Sequence, residues 1–171
     1  MAARRVVRYG RFLEDFEPGQ VLAHHWGRTI TAAEAVQFTT WTGNANPLYF
    51  NAEWARRSGY HGMPVNPMLV LNVVFGLSVE DLSEQALAHL GYWNVSFEKP
   101  VYGGDTLTAE SEVLEVRESG SKPDRGIVHV RTRGLNQEGD EVLRYERRIL
   151  VKKRSHYPGD VAPTKAPGAA S

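Results

Sequence analysis

Two polar segments of this chain hold most of the residue types that could do chemistry. Residues 44–51 and 60–66 carry asparagine, tyrosine and histidine side chains, and both precede an apolar run at 66–77. In that run Asn66 is a candidate N-cap and Pro67 occupies the first helical position. Because the N-terminal end of a helix is electropositive, polar groups that converge there can stabilise a developing negative charge. The sequence therefore predicts a site at the start of this helix.

Each of these side chains also has a purely structural interpretation. Asn44 and Asn46 are common turn residues, and Asn66 can act as a helix cap and nothing more. His61 is the only histidine between the predicted helices at 52–58 and 66–77. It can be a base near neutral pH or a solvated histidine in a turn. The residue types alone leave both interpretations open.

The apolar run at 66–77 is predicted to be a buried helix. Its apolar residues lie on all sides rather than in one stripe, so we expect a strongly curved sheet to cover nearly the whole circumference. A central strand is the alternative. Pro67, Gly76 and the length of the run argue against it.

The remaining patterns divide the chain into two halves. In the first half, a strand is predicted at 20–29, and a capping box from Thr31 to Glu34 begins a helix that Gly43 ends. Short helices are predicted at 52–58 and 79–86. The second half is predicted to contain four antiparallel strands, at 92–99, 106–117, 126–136 and 141–153.

The last two predicted strands alternate between two faces, so one face packs on a core. The inward residues are predicted to be Val128, Val130, Thr132, Leu143, Tyr145, Ile149 and Val151. The outward residues are predicted to be His129, Arg131, Arg133, Arg144, Glu146 and Arg148. A change of phase at Val113 and Leu114 predicts a β-bulge in the second of the four strands.

This order of elements predicts an α+β fold, the single hot-dog domain, at residues 10–154. In that fold an antiparallel curved sheet wraps around one long helix. Residues 1–9 are predicted to form a flexible arm, and residues 155–171, rich in proline, alanine and glycine, a disordered tail. An exposed sheet edge is removed when two subunits pair, so a homodimer or a higher even oligomer is expected.

The composition excludes several classes of partner. Among 171 residues, 20 Lys and Arg balance 20 Asp and Glu, so no basic field is present to attract nucleic acid or a membrane surface. The chain contains no cysteine, which excludes disulfides, thiolate metal sites and a cysteine nucleophile. No metal site is expected from the histidine spacing. The sequence shows no signal peptide or membrane span, so a cytoplasmic protein is expected.

Over roughly residues 10–153 the sequence resembles the MaoC-like, or R-specific, enoyl-CoA hydratases. The similarity rests on TGNANPLY (42–49), PVNPM (64–68) and FEKPVYGGDTL (97–107). It implies a hot-dog protein that acts on an acyl-CoA thioester and needs no cofactor beyond the CoA of its substrate. FGLSVEDL (75–82) and LGY (90–92) are most similar to the mesaconyl-CoA hydratase, or β-methylmalyl-CoA dehydratase, branch, which handles a branched C5 dicarboxylic acyl-CoA.

Three positions depart from the hydratase pattern. The family uses an aspartate and, five residues later, a histidine to activate water, whereas this chain has Asn44 and Tyr49. An amide cannot take a proton from water, and a phenol with a pKa near 10 is a poor base at neutral pH. The usual His-Gly at the helix start is replaced by Asn66 and Pro67, and proline has no N–H group to donate.

The resemblance and these departures together give a candidate site. Asn44, Tyr49, His61 and Asn66 are the catalytic candidates, with Tyr49 as proton donor to the α-carbon and His61 as base. The Asn66 amide and the Met68 N–H are expected to hold the thioester oxygen. The substrate-binding candidates are Asn46, Pro67, Met68, Arg56, Arg57, Lys99 and Tyr102.

Within that set the charged and aromatic residues have separate expected roles. Arg56 and Arg57 would bind a distal carboxylate, although an exposed helix face is the alternative. Lys99 and Tyr102 would line the CoA tunnel. The leading hypothesis is a reversible hydro-lyase that converts mesaconyl-CoA to β-methylmalyl-CoA, or acts on a similar enoyl-CoA. The alternatives are a catalytically silent acyl-CoA-binding protein and a thioesterase, for which Glu53 is the only nearby carboxylate.

Overall fold

The computed structural model describes residues 10–156. The predicted arm at 1–9 and the predicted tail from residue 157 onward lie outside the described residues. The α-helices are α1 (Ala32–Trp41), α2 (Ala52–Arg57), α3 (Pro67–Leu77) and α4 (Val79–Leu82). The strands are β1 (Val21–Ala23), β2 (Arg28–Thr29), β3 (Ala86–Phe97), β4 (Thr106–Glu118), β5 (Arg125–Leu135) and β6 (Glu141–Lys152). Short 3₁₀ turns lie at Leu13–Asp15, Pro47–Tyr49 and Arg154–His156.

One antiparallel sheet holds the described strands together. Its order is β1-β4-β5-β6-β3, and β2 also pairs with β4. The β4–β5 register shifts between Val113 and Glu115, which confirms the predicted bulge. Helix α3 packs on the inner face of this sheet, so the arrangement is the predicted α+β hot-dog fold.

The sequence around α3 explains both its start and its position. The Asn66 side chain accepts a hydrogen bond from the Met68 N–H, and Pro67 occupies the first turn without losing a needed donor. Val74 packs directly over Gly134 of β5. A Cβ atom on Gly134 would lie 2.5 Å from a Val74 methyl group, so this glycine permits the close approach of helix and sheet.

The sheet covers one side of α3 rather than nearly all of it. Leu69, Val70, Val73 and Val74 are buried against the core. Met68 is 51 % exposed, and Asn72 and Gly76, which follow it at four-residue spacing, are exposed too. The expectation of nearly complete coverage within one chain is therefore wrong, because this sheet reaches only one face of the helix.

Two predicted boundaries also differ from the structure. Strand β3 begins at Ala86 rather than residue 92, so the predicted helix at 79–86 is reduced to α4. Hydrogen bonding to β6 draws the start of β3 into the sheet despite its weak alternation. The strand predicted at 20–29 is two short strands, since the pairing with β4 that His24 N–H extends to Ala109 lapses at residues 25–27.

The inner faces of β5 and β6 match the predicted alternation, with one addition. All seven residues predicted to point inward are buried. Arg147 lies on the same face, between Tyr145 and Ile149, and is also fully buried. The buried apolar residues form two clusters, one around α3 and one around Leu82.

Between residues 10 and 156, no helix has the length and apolar character needed to cross a bilayer.

Candidate active site

A cavity of about 240 Å³ lies at the N-terminal tip of α3. The loop before α2, the segment before α3, the first turn of α3 and the end of β3 form its walls. The lining residues are Leu48, Tyr49, Tyr60, Pro64, Val65, Pro67, Val70 and residues 97–101. The helix dipole makes this end of α3 electropositive, so the cavity has the electrostatic character predicted for the site.

The structure brings three of the predicted site residues together in this cavity. Tyr49, Pro67 and Lys99 line it. The other predicted residues are not part of its lining. These are Asn44, Asn46, Arg56, Arg57, His61, Asn66, Met68 and Tyr102.

The tip of α3 has few free backbone donors. Pro67 has no N–H, and the Met68 N–H donates to Asn66 Oδ1 at 3.0 Å. The Leu69 N–H donates to the Asn66 carbonyl. Because the side-chain oxygen of buried Asn66 is occupied, its NH₂ group is the part of this amide that can donate to a ligand. An oxyanion at this tip therefore depends on a side chain and on the helix dipole.

Two tyrosines face the cavity, and sequence reasoning named only one of them. Tyr49 is half-buried, and burial, followed by nearby Tyr60, raises the pKa of its phenol. Tyr49 is therefore protonated at neutral pH and can act as a donor, whereas it holds no free phenolate that could accept a proton from water. Tyr60 lies within the polar segment 60–66, and this position was the available signal for its role.

Asn44 and Asn46 both use their side chains in turns. Asn44 Oδ1 accepts from the Asn46 N–H at 3.1 Å, and Asn46 Oδ1 accepts from the Leu48 N–H at 3.1 Å. These bonds shape the loop that carries Tyr49 into the cavity wall. The two asparagines therefore position Tyr49, which is the structural interpretation of these residues.

His61 is exposed and packs on an aromatic ring. Its ring centroid lies 3.8 Å from that of Tyr102, at an angle of 38°. Tyr102 is half-buried, and burial is the main cause that raises the pKa of its phenol. The Tyr102 N–H donates to Asp105 Oδ2, which holds the turn that follows the cavity wall. The pair thus sits beside the site rather than inside it.

The predicted cationic residues have carboxylate partners. Arg56 and Arg57 both contact Glu53, at 3.4 Å and 3.1 Å, on the exposed face of α2. Lys99 contacts Asp140 at 2.8 Å, also near the surface. Glu53, the carboxylate named for the thioesterase alternative, is exposed, pairs with both arginines and is not part of the cavity lining.

Glu98 is a cavity residue that sequence reasoning missed. The hydrogen bond from Ser96 and then the one from Arg144 lower the pKa of this carboxyl group. A stabilised carboxylate is a weak base, so Glu98 is poorly suited to take a proton from water. Its place at the end of β3, next to Lys99, was visible in the sequence, but its orientation was not.

A second polar cluster lies in the core, beyond the far end of α3. His24 Nδ1 and Asp81 Oδ2 are 2.8 Å apart, and His24 Nε2 and Ser111 Oγ are 2.9 Å apart. Ser111 Oγ also contacts Thr132 Oγ1. An Asp-His-Ser order is shared with hydrolases, but Ser111 is buried and its hydroxyl is engaged, so this cluster is structural.

The described residues contain no group of three or more His, Cys, Asp or Glu side chains that could hold a metal ion. The polar side chains that line the cavity are the phenols of Tyr49 and Tyr60 and the charged groups of Glu98 and Lys99. The Asn66 amide caps the helix at the same tip.

The fold and this site place the chain in a structural class, the MaoC-like hot-dog proteins. A solved MaoC domain protein dehydratase from Chloroflexus aurantiacus superposes with a TM-score of 0.82 at 35 % sequence identity. The match covers 95 % of this chain and 45 % of that one.

Sequence comparison narrows the class to one family. The family model described as mesaconyl-CoA hydratase matches residues 3–168, and this chain belongs to that family. It is 41 % identical to a mesaconyl-CoA hydratase from Cereibacter sphaeroides, over 91 % of this chain and 45 % of that protein. It is 37 % identical to a β-methylmalyl-CoA dehydratase from Chloroflexus aurantiacus, over 85 % of this chain and 41 % of that protein. The chain thus spans less than half the length of these relatives.

Proposed function

We propose that this protein is a reversible hydro-lyase that acts on an α,β-unsaturated acyl-CoA. The proposed reaction converts mesaconyl-CoA to β-methylmalyl-CoA, or adds water to a similar short branched enoyl-CoA. The observation that carries the proposal is the cavity at the tip of α3, where Tyr49 and the helix dipole meet. The names of the two relatives support the same chemistry.

In the proposed mechanism the thioester carbonyl lies at the start of α3. The Asn66 NH₂ group and the dipole stabilise the negative charge that develops on the carbonyl oxygen. Water adds to the β-carbon and gives up a proton to solvent or to His61, which lies outside the cavity lining. Tyr49 donates a proton to the α-carbon, which completes the addition of H and OH across the double bond, and its phenolate then takes a proton back from solvent or from His61. Asn44 and Asn46 hold the Tyr49 loop in place.

The remaining candidates bind the substrate in this proposal. Lys99 and Tyr102 contact the CoA portion, and Pro67 and Met68 form the wall next to the acyl group. Arg56 and Arg57 receive a distal carboxylate only if they leave Glu53. No cofactor is required, because the helix tip polarises the thioester directly. The cytoplasmic location expected from the sequence stays a prediction.

The partner proposed for this chain is a second copy, paired through the free edge of β3. This strand contains no Asp, Glu, Lys or Arg, whereas each of the other three long strands carries at least three. Its exposed apolar residues are Leu87, Leu90, Tyr92, Trp93, Val95 and Phe97. Since solitary edge strands normally carry charge, this composition supports a covered edge and a homodimer.

The test is direct measurement of turnover. Purified protein is mixed with mesaconyl-CoA, and loss of the enoyl-thioester absorbance is followed while the product mass is measured. The expected product is heavier than the substrate by one water. Straight and branched C4–C6 enoyl-CoAs serve as further substrates. Absence of turnover with all of them would reject the hydro-lyase proposal.

A second candidate is a catalytically silent acyl-CoA-binding protein. It is favoured by the turn hydrogen bonds of Asn44 and Asn46, and by a cavity lining that contains neither aspartate nor histidine. Calorimetric titration with a saturated acyl-CoA separates the two. Binding without any turnover of enoyl-CoA substrates would support the silent protein.

A further inference from the structure

Arg147 is a buried cation that the proposed reaction does not use. Its side chain lies under the C-terminal end of α3, where Nη2 donates to Ser78 Oγ at 2.8 Å. Nε and Nη1 are buried as well, and neither has a hydrogen-bond partner in the described part of the chain. An arginine offers five N–H groups, so most of its donor capacity is unused.

Among the residues that the structure describes, other arginines of the sheet have carboxylate partners, and Arg147 does not pair in this way. On the exposed face Arg131 contacts Glu146 and Arg133 contacts Glu110. Among residues 10–156, no carboxylate forms such a pair with Arg147. Burying a charge without a counter-charge is costly, because the ion loses its hydration. The guanidinium therefore needs a negative group that these residues do not supply.

The neighbours of Arg147 compensate its charge only in part. The Phe75 ring lies 4.8 Å from the guanidinium carbon, and Ser78 Oγ donates onward to the Phe75 carbonyl. The Tyr145 hydroxyl and then the Tyr92 hydroxyl favour the charged form, but neither makes a hydrogen bond of ordinary geometry with Nε or Nη1. The net effect of burial lowers the pKa of Arg147. All these groups are neutral.

The aromatic side chains that pack over Arg147 lie in or next to β3, the free edge of the sheet. Tyr92 of β3 is the direct register partner of Arg147, and Phe75 packs edge-on against His89 and Tyr92. His89 and Tyr92 are both exposed. After burial itself, the charge of Arg147 is the next cause that lowers the pKa of His89. The electrostatic influence of Arg147 thus extends to this surface.

We propose that Arg147 is the cation of an oxyanion-binding site at the β3 edge, which takes a small carboxylate or phosphate. The forked guanidinium matches the two oxygens of such a group. Rotation of the exposed Tyr92 and His89 side chains opens the path to it. The site is distinct from the cavity at the opposite end of α3.

Pairing of two copies strengthens the requirement for an anion, and this step rests on the homodimer of the proposed function. An antiparallel pair that uses all of β3 has its twofold axis near the middle of the strand, beside Tyr92. Arg147 of both copies then lies near that axis. Because β3 carries no acidic residue, the pairing strand of an identical partner supplies no counter-charge, while its Arg147 adds a second cation. A bound oxyanion neutralises both.

Thermal unfolding of the full chain tests the site. The melting temperature is measured in acetate, succinate and phosphate, each against chloride of equal ionic strength. We expect at least one oxyanion to raise Tm by about 5–10 °C at a concentration near 100 times its Kd. Arg147→Met should lose this rise, and in chloride it should melt no lower than the wild type, because a buried charge has been removed.

Two further variants complete the design. Arg144→Met removes an exposed arginine that is paired with Glu98, and it should keep the full response. Arg147→Lys retains the positive charge but lacks the forked guanidinium, so it should keep part of the rise in Tm. This variant preserves the test if Arg147→Met fails to fold. A wild type that melts alike in every salt, or an Arg147→Met response equal to that of the wild type, would overturn the anion site.

Separate measurements distinguish failure of the anion-site proposal from failure of the homodimer or hydro-lyase proposals. Light scattering reports whether the chain is dimeric, and the enoyl-CoA assay reports whether the hydro-lyase proposal holds. A dimer with turnover but without an anion response overturns the anion site alone. A monomer in every salt overturns the paired arrangement of two Arg147 side chains.

Discussion

The two ends of α3 have opposite chemistry. At the N-terminal tip a cavity is lined mainly by apolar and phenolic groups, and its charged residues, Glu98 and Lys99, have partners of opposite charge. At the C-terminal end Arg147 is buried, no carboxylate among residues 10–156 pairs with it, and its charge acts on His24. The helix dipole is positive at the first end and negative at the second, so each end suits what lies there. One helix thus prepares one end for a substrate anion and holds a fixed cation at the other.

The largest expected effect comes from the N-terminal tip. Tyr49→Phe removes the proposed proton donor and should lower kcat by about 10²–10⁴-fold, the usual range for a lost acid or base. Steady-state kinetics with mesaconyl-CoA measure the effect. Phe50→Leu, a change at an exposed neighbour outside the cavity, is the control and should leave kcat close to that of the wild type. Equal kcat for Tyr49→Phe would assign the proton transfer elsewhere.

Substitutions of Asn66 separate its role as the helix cap from its proposed role as a hydrogen-bond donor to the substrate. Asn66→Ala should cost about 0.5–2 kcal/mol of stability and lower kcat by about 10²–10³-fold. Asn66→Ser is the matched variant, since serine caps helices but has no NH₂ group to donate. It should restore the melting temperature and leave kcat low. Full activity in the Ser variant would show that the amide acts only as a cap.

In the middle of α3, the contact between Val74 and Gly134 holds the helix against the sheet. Gly134→Ala places a Cβ atom 2.5 Å from a Val74 methyl group, and overpacking of this kind should cost about 1–3 kcal/mol. Denaturant unfolding measures the loss. Gly120→Ala is the control, because nothing lies within 4 Å of its added atom. Val74→Ala combined with Gly134→Ala should recover part of the stability.

The C-terminal end should give the protein a pH dependence. Burial is the main cause that lowers the pKa of His24 below its usual value of 6.5. When pH falls below 6.5, the unfolded chain takes up a proton before the folded one, so stability is lost. The slope is at most about 1.4 kcal/mol per pH unit for one group.

His24→Gln is the matched variant for this effect. Its melting temperature should change less than that of the wild type between pH 7 and pH 5. His25→Gln, at the adjacent, exposed histidine, serves as the control. A His24→Gln profile parallel to the wild type would place the pH dependence in other groups.

The smallest effect is expected at the mouth of the cavity. Lys99→Met removes an exposed ion pair with Asp140, so stability should change by about 0–1 kcal/mol. If Lys99 contacts CoA, KM should rise while kcat stays unchanged. Asp140→Asn removes the same ion pair but keeps the lysine, so it should leave KM as in the wild type.

Local sequence signals predicted the parts of the fold that local chemistry determines. The cap at Asn66 and the capping box between Thr31 and Glu34 were both found from residue order and spacing. The start of β3 was placed too late, because its pairing with β6 depends on residues far along the chain.

The polar core was harder to predict for a related reason. Alternation placed Val128 and Ile149 inside, but it does not predict a buried arginine at residue 147, since arginine is normally an outward residue. The contact between His24 and Asp81 joins positions that are distant in sequence. In the candidate site, Tyr49 was named from the resemblance to the hydratase motif, whereas Tyr60 and Glu98 required the folded chain.

The charge-free edge of β3 has a consequence for how the chain must be made and handled. Uncovered, the strand offers unpaired backbone groups and apolar side chains with no like charge to repel a wrong strand. In the proposed homodimer the lone protomer is therefore the vulnerable species, so a substitution that weakens the pairing should increase misassembly at a fixed protein concentration.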